Sequence, residues 1–238
     1  MELYGYDGNN GNQLWGPTDP QPAWDFYGIN TAIAYGKVFS CGYAGILYCR
    51  DIQTGQLLWT YESESSGFES PYGEGKYPFS IGVIADDVIY IYSSEHSPTK
   101  PFWRGSKLRC VDVNTGDEVW TIPVWAGNTI IADGYLVTLN SYDNQLYCFG
   151  KGETATTVTA TNVGVTLGSS VMIRGTVTDQ SAGAKGTPAI ADEYMTEWME
   201  YLYMQRPCPQ YVEGVKVHLT SIDPNGNYQD IGYATVDA

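Results

Sequence analysis

Short runs of alternating apolar and polar residues, bounded by glycine, asparagine or aspartate, recur along the first 150 residues. A period of two puts alternate side chains on one face, so these runs predict half-buried β-strands rather than helices. Leu3-Tyr4-Gly5-Tyr6, Leu47-Tyr48-Cys49-Arg50, Leu108-Arg109-Cys110-Val111 and Leu146-Tyr147-Cys148-Phe149 are four copies of one strand. The first three lead into a turn and a second strand that ends in tryptophan: Asp7 to Trp15, Asp51-Ile52-Gln53-Thr54-Gly55-Gln56-Leu57-Leu58-Trp59, and Asp112-Val113-Asn114-Thr115-Gly116-Asp117-Glu118-Val119-Trp120. Each has Asp, Gly four residues later, and Trp four after that. Glycine at that point supplies the positive φ a tight hairpin turn requires. A further set in phase with these, Ile33 to Phe39, Ile84 to Tyr90 and Ile131 to Val137, reads as two short strands around a turn.

One period therefore holds four strands, the content of a propeller blade. The Leu-initiated strands are 44, 61 and 38 residues apart, the long middle spacing reflecting loops at Glu62 to Tyr77 and Ser93 to Ser106. The fourth copy runs into Gly150-Lys151-Gly152 with no Thr-Gly turn and no Trp, so the array ends there. The fold class is all-β, with about 3 to 3.5 four-stranded blades of a partial β-propeller over residues 1–152. Cys49, Cys110 and Cys148 share one position of the repeat, where the first copy has Gly5. That position is expected to hold a small side chain, and the three thiols to be buried, free, and too far apart to bridge. With Cys41 and Cys208 the cysteines number five and contain no C-x-x-C, so neither a zinc site nor a fully paired disulfide framework is indicated.

After Gly152 the composition turns to Thr, Val and Gly, and residues 153–238 read as a second domain. Thr156 to Ala160 and Val171 to Val177 alternate as sandwich strands do, and Val215 to Thr220 and Ile231 to Val236 flank the turn Asp223 to Asn227. Near 188–205 the pattern changes to a helical one, with Tyr194, Trp198 and Leu202 at i, i+4, i+8 and Met195 and Met199 beside them. Pro188, the early Asp192 and Glu193, and Pro207 mark its ends. Such a helix packs on its own module or docks onto the propeller or a partner.

Charge narrows the function classes. Lysine plus arginine number 12 against 27 acidic residues, a net charge of −15 that repels phosphate backbones and anionic lipid. Nucleic acid is not an expected partner. No run approaches the roughly 20 apolar residues of a membrane span, and the start Met1-Glu2-Leu3-Tyr4 lacks the basic and apolar segments of a secretion signal. His96 and His218 are far apart in sequence, with no ligand-spaced partner. The Asp7 and Asp223 segments resemble calcium loops, yet Thr18 and Ala234 stand where a bidentate glutamate is needed, so both are read as hairpin turns. Trp103 and Trp125, with Tyr72, Tyr77 and Phe102, are candidates to line a face that stacks on a sugar or a peptide, while Glu62, Glu64, Glu69 and Glu74 keep the same loop solvated.

The Asp-x-x-Thr-Gly-x-x-x-Trp unit after a Leu-Tyr-small strand resembles the repeat of the pyrroloquinoline-quinone-type propellers. That family includes quinoprotein alcohol dehydrogenases and the scaffold lipoprotein of bacterial outer-membrane protein assembly. The resemblance covers residues 3 to 150 and implies the fold. The enzymes of the family add an adjacent Cys-Cys pair and a calcium near a catalytic Asp; no Cys-Cys pair occurs in this sequence and the calcium ligands have no matching positions. The expectation is thus a non-catalytic scaffold with no catalytic, cofactor-binding or metal residue and no cofactor. The alternatives are a fragment of a quinone-dependent dehydrogenase and a carbohydrate-binding module. Residues 153–238 resemble an immunoglobulin-like module of microbial surface proteins, which implies a cell-surface or extracellular setting. A protein partner is expected, or self-association through open blades, and possible glycan contact. So short an arc also implies a piece of a longer polypeptide or a protomer completed by another copy.

Overall fold

The computed structural model describes residues 1–70, 72, 75–93 and 104–237. The chain divides into two compact units, Met1–Phe149 and Gly150–Ala238. In the first, β1 (Gly5–Tyr6) pairs with β2 (Gln13–Trp15). Two four-stranded antiparallel meanders follow: β3 (Asn30–Ala34), β4 (Lys37–Cys41), β5 (Ile46–Asp51) and β6 (Leu57–Glu62), then β7 (Phe79–Ala85), β8 (Val88–Ser93), β9 (Leu108–Asp112) and β10 (Glu118–Ile122). A three-stranded sheet closes the unit with β11 (Ala126–Ala132), β12 (Tyr135–Asn140) and β13 (Gln145–Phe149). The protein is thus nearly all-β. Its repeat is realised as two complete sheets flanked by the outer pair of one blade and the first three strands of another. The inner strands β3 and β11 both lie against β7, so successive sheets meet along their first strands.

The local chemistry explains each turn. Tyr35-Gly36, Asp86-Asp87 and Asp133-Gly134 have positive φ at both positions, the two-residue hairpin turn that matches strand twist. Aspartate tolerates that conformation better than most side chains, which lets the middle copy dispense with glycine. In the outer hairpins the aspartate builds the turn. Oδ1 of Asp51 accepts from the amides of Gln53 and Thr54 at 2.9 and 2.8 Å, and Oδ1 of Asp112 from those of Asn114 and Thr115 at 2.7 and 2.9 Å. The amides of Gly55 and Gly116 then donate to the carbonyls of Asp51 and Asp112 at 2.9 Å in both copies.

Tryptophan joins one sheet to the next. The indole Nε1 of Trp15 donates to the Ile52 carbonyl at 2.8 Å, and that of Trp59 to the Val113 carbonyl at 3.2 Å. Each ring lies on the turn glycine of the following copy: a Cβ on Gly55 would sit 2.5 Å from Trp15, and one on Gly116 2.7 Å from Trp59. Trp120 stacks on Phe149 with centroids 5.5 Å apart. The glycine of the Asp-x-x-Thr-Gly motif is therefore fixed twice, by positive φ and by the indole on top of it. Between the two complete sheets lies the core of Phe39, Cys41, Leu47, Cys49, Phe79, Ile89, Ile91, Val111 and Val113.

The small slot of the repeat faces this tryptophan. Gly5 is paired across the ladder with Trp15, Cys49 with Trp59 and Cys110 with Trp120. Cys49 and Cys110 are buried, as expected. Cys148 is exposed, which corrects the expectation for the third thiol. Its strand β13 is the last of a three-stranded sheet, so Cys148 is paired with Val137 on one side and has no Trp-bearing strand on the other.

In the second unit, β14 (Thr154–Ala160) pairs with β15 (Ile173–Asp179) and β16 (Lys216–Ile222) with β17 (Tyr228–Thr235). Residues 187–191 run extended between them, the Ala189 amide bonding the Val177 carbonyl at 3.1 Å and the Val215 amide bonding the Ala189 carbonyl at 3.0 Å. The helix α1 (Met195–Met204) begins after that segment and after a 3-10 turn at Asp192–Tyr194, later than the apolar spacing suggested. Trp198 and Met199 are its buried residues. Gln205, at φ 54°, ends it in the left-handed conformation, and the Arg206 amide returns to the Glu200 carbonyl at 3.2 Å.

Candidate binding surface

Antiparallel alternation sends the Asp-Gly turns to one end of the sheets and the connections 16–29, 42–45 and 63–78 to the other. Aromatic side chains gather at this second end. Trp24 lies 5.9 Å from Tyr27 and 5.3 Å from Tyr72, Tyr27 lies 5.8 Å from Phe26, and Tyr43 lies 5.0 Å from Tyr72, at interplanar angles from 43° to 86°. Phe26 and Tyr27 remain 70% and 57% exposed. Edge-to-face and tilted packing of this kind holds the rings in fixed orientations.

The segment that carries the rings is pinned from below. Ala23–Phe26 form a 3-10 turn in which Trp24 and Phe26 point to solvent and Asp25 between them is fully buried. Asp25 Oδ1 accepts from the Ala44 amide at 3.1 Å, and the Tyr43 amide donates to the Tyr27 carbonyl at 3.3 Å. Gly42 lies so close that a Cβ there would stand 2.7 Å from Asp25 Cα. Gly28, at φ +63°, faces the Tyr43 ring at a distance that leaves no room for a side chain. Below the turn, Gln21 Nε2 donates to Ser40 Oγ at 3.1 Å and the Met1 ammonium to the Gln21 carbonyl at 2.8 Å. Burial pushes the Asp25 carboxyl up to about 6, against the Ala44 hydrogen bond and the Met1 charge, which favour ionisation.

The residues expected to line a face are divided by the structure. Tyr72 belongs to the ring cluster. Tyr77 is buried, its hydroxyl donating to the Arg104 carbonyl at 2.8 Å. Trp125 is half-buried against Tyr142, 5.7 Å away. Trp103, Phe102, His96 and Glu74 lie outside the described residues. The glutamates do more than solvate the loop: Glu62 pairs with Lys76, Glu69 with Arg104, and Glu64 with both Arg109 (2.6 Å) and Lys107 (3.2 Å). Arg109 is completely buried on β9, with its guanidinium 5.3 Å from the centre of the Phe79 ring. Burial works against ionisation of Glu64, but the charge and hydrogen bond of Arg109, a backbone hydrogen bond and the Lys107 charge together outweigh it and hold the carboxyl below its usual range. His218, in the second unit, bonds Asp230 at 3.0 Å and stacks on Tyr233. Asp7 and Asp223 spend their carboxylates on turn amides, Asn9 for the first, Asn225 and Asn227 for the second.

Trp24, Phe26, Tyr27 and Tyr43 are the surface residues that sequence reasoning missed. The first three lie in Gly16 to Ile29 and Tyr43 in the short connection 42–45, neither of which has a strand or helix period, so nothing in the pattern marks which side chains face out. The dipeptide spacing Trp24-x-Phe26 around an acidic residue is a weak cue at most.

The repeat residues connect this arrangement to known proteins. The family model described as outer membrane protein assembly factor BamB matches residues 1–157. The chain belongs to this family. The matched stretch contains the repeated turn Asp, turn Gly and Trp, of which the Trp and the Gly join one sheet to the next. No protein with a curated description matches the chain. Among solved structures, BamB from Moraxella catarrhalis is similar at 18% identity over 63% of this chain and 40% of that one, with a TM-score of 0.40. A quinohemoprotein alcohol dehydrogenase from Pseudomonas putida HK5 is similar at 16% identity over 64% of this chain and 32% of that one, TM-score 0.39. A europium-containing methanol dehydrogenase is similar at 20% identity over 50% of this chain and 20% of that one, TM-score 0.36. The chain thus spans less than half the length of each. Among the described residues no helix is long and apolar enough to cross a membrane.

Proposed function

We propose that the chain is a non-catalytic scaffold whose propeller sheets hold an aromatic surface for a protein partner, at the cell surface or outside the cell. The observation that carries this reading is the ring cluster of Trp24, Phe26, Tyr27, Tyr43 and Tyr72, seated by the Asp25–Ala44 hydrogen bond. Rigid exposed aromatics bind with a small entropy cost, and they dominate protein recognition surfaces. Sugar platforms need a ring face lying open; rings tilted into one another suit apolar side chains of a protein better. The repeat's own Asp, Gly and Trp are engaged in turn and wedge packing, which supports a structural use of the family motif over a catalytic one. The extracellular setting draws on the family's printed description as an outer-membrane assembly factor. On this reading the second unit is an appended immunoglobulin-like module, supported by the alternating exposure along β16.

Selection from a displayed random-peptide library tests the proposal. Enriched peptides should bind the full chain and lose at least about tenfold in affinity on the Trp24→Ala/Phe26→Ala double variant, the loss expected of hot-spot aromatics. Peptides that bind both proteins alike would refute the surface. Dye-linked alcohol oxidation on adding pyrroloquinoline quinone with calcium would favour the dehydrogenase alternative instead, and ring-dependent glycan-array binding the carbohydrate module. A second reading, self-association, is favoured by a cleft of about 820 Å³ lined by Tyr4, Tyr6, Leu14, Trp15, Ile33 and Val38, and by exposed Ile130 and Leu146 on the three-stranded sheet. Light scattering should then give a dimer or larger species at micromolar concentration, and a monomer throughout would dismiss it.

A further inference from the structure

We propose that Asp25 is a proton-operated latch beneath the aromatic surface: the protonated carboxyl seats the Ala23–Phe26 turn, and the ionised carboxylate releases it. The functional meaning of the latch rests on reading the rings as a binding surface; the latch itself rests on the geometry below them. The carboxyl is fully buried, with one oxygen satisfied by the Ala44 amide. Its other oxygen, Oδ2, is buried without a hydrogen bond of normal geometry among the described residues, the Tyr48 phenol being the one hydroxyl that acts on the carboxyl, and Oε1 of buried Gln21, four residues earlier, is likewise without one. Each is a buried acceptor without a donor, and each is costly on that account. A proton on Asp25 changes this: Oδ2 becomes a donor, and it is no longer an uncompensated charge out of water.

The titratable groups around Asp25 come from three directions. They are the Met1 ammonium, the Cys41 thiol on β4 and the Tyr48 phenol on β5. The Ala44 amide, Met1 and Tyr48 stabilise the carboxylate, but burial outweighs them, and among the described residues no lysine or arginine is one of the main groups acting on it. The sign follows. The seated turn holds its carboxyl at about 6, whereas a released, solvated one has the ordinary value of 3.8. Seating is therefore fully favoured below the ordinary value and is lost as pH rises through about 6. Between pH 4 and pH 8 the released form gains about 60-fold over the seated one. What is released is the turn bearing Trp24 and Phe26, so the ring surface is ordered in mildly acidic surroundings and loosened in alkaline ones.

Hydrogen exchange on the full chain tests this at the Ala44 amide, with Cys49 in the core as control. After correction for the intrinsic effect of pH, Ala44 protection should fall at least about tenfold from pH 5 to pH 8 while Cys49 is unchanged. In Asp25→Asn, which cannot ionise, the fall should vanish. Equal Ala44 protection at both pH values, or the same fall in the variant, would overturn the latch. Should the variant fail to fold, the carbon-13 shift of the wild-type Asp25 carboxyl decides: a midpoint near 6 supports the latch, and one near 3.8 removes it. None of these readouts uses a bound peptide, so failure of the latch and failure of the surface are seen separately.

Discussion

Both units are built from antiparallel hairpins, and they differ in what covers the strands. In the first unit β5 is buried at four consecutive positions, Leu47 to Arg50, and β9 at Leu108 to Val111. In the second, β14 is exposed at all seven of its residues although it is paired with β15 along its whole length. A ladder of backbone hydrogen bonds is common to both, so pairing alone does not distinguish them. The difference is a residue that reaches beyond its own sheet. Trp15 and Trp59 each bond a carbonyl of the next copy and cover its turn glycine, which converts a row of separate sheets into a stack with faces buried on both sides. Two strands without such a cover are marginal in water, whatever their propensity.

The comparison is broken most forcefully at the wedge. Trp59→Ala and Trp120→Ala should each destabilise the chain by about 3–5 kcal/mol, the range for truncating a large packed aromatic. Trp59 loses its contacts with Gly116 and Phe39 and its bond to Val113, and Trp120 its stack on Phe149. Val158→Ala, at the exposed centre of β14, should change stability by less than about 0.5 kcal/mol. Denaturant melts measure all three, and comparable losses would mean the wedge is not what separates the two units.

Much of this is legible in the sequence. The Asp-x-x-Thr-Gly spacing gave the outer turns because the aspartate and the glycine act within a few residues of each other, and the Tyr35-Gly36 and Asp133-Gly134 turns followed from local positive φ. Contacts made across the chain were hidden. Arg109 sits in an alternating strand like any exposed arginine, and its burial depends on Glu64, 45 residues earlier. The ring cluster is hidden for the same reason: Asp25, in the 3-10 turn that carries Trp24 and Phe26, is held by an amide 19 residues later. The slot shared by Cys49, Cys110 and Cys148 is legible as a position of the repeat, but its burial goes with a Trp-bearing strand beside it, which the copy at Leu146 to Phe149 lacks.

Glycine sharpens the comparison at intermediate cost. Gly116→Ala combines a positive φ of 79° with a methyl 2.7 Å from the Trp59 ring, so it should lose about 2–4 kcal/mol, strain plus displacement of the wedge. Gly226→Ala in the second unit has a similar φ of 84° but open space around the new methyl, which leaves the backbone strain of about 1–2 kcal/mol. The difference between the two isolates the contact with the indole. Identical losses would show that φ alone fixes the motif glycine.

The smallest effect on stability, and the sharpest test of which strands are covered, is thiol reactivity. Cys148 and Cys208 are exposed, while Cys41, Cys49 and Cys110 are buried. Burial pushes the Cys49 thiol from 9.0 up to about 11, with Lys37 opposing, and pushes the Cys41 thiol up as well. Because the thiolate is the reactive species, a shift of that size slows alkylation of Cys49 about 100-fold even before access is considered. Iodoacetamide at neutral pH should therefore add two labels to the native chain, at Cys148 and Cys208, and five after unfolding, with mass spectrometry of the peptides assigning each. The informative pair is Cys49 and Cys148, which occupy one position of the repeat and differ in whether a Trp-bearing strand lies beside them. Equal labelling of those two in the native protein would mean that the fourth strand is not what protects the slot.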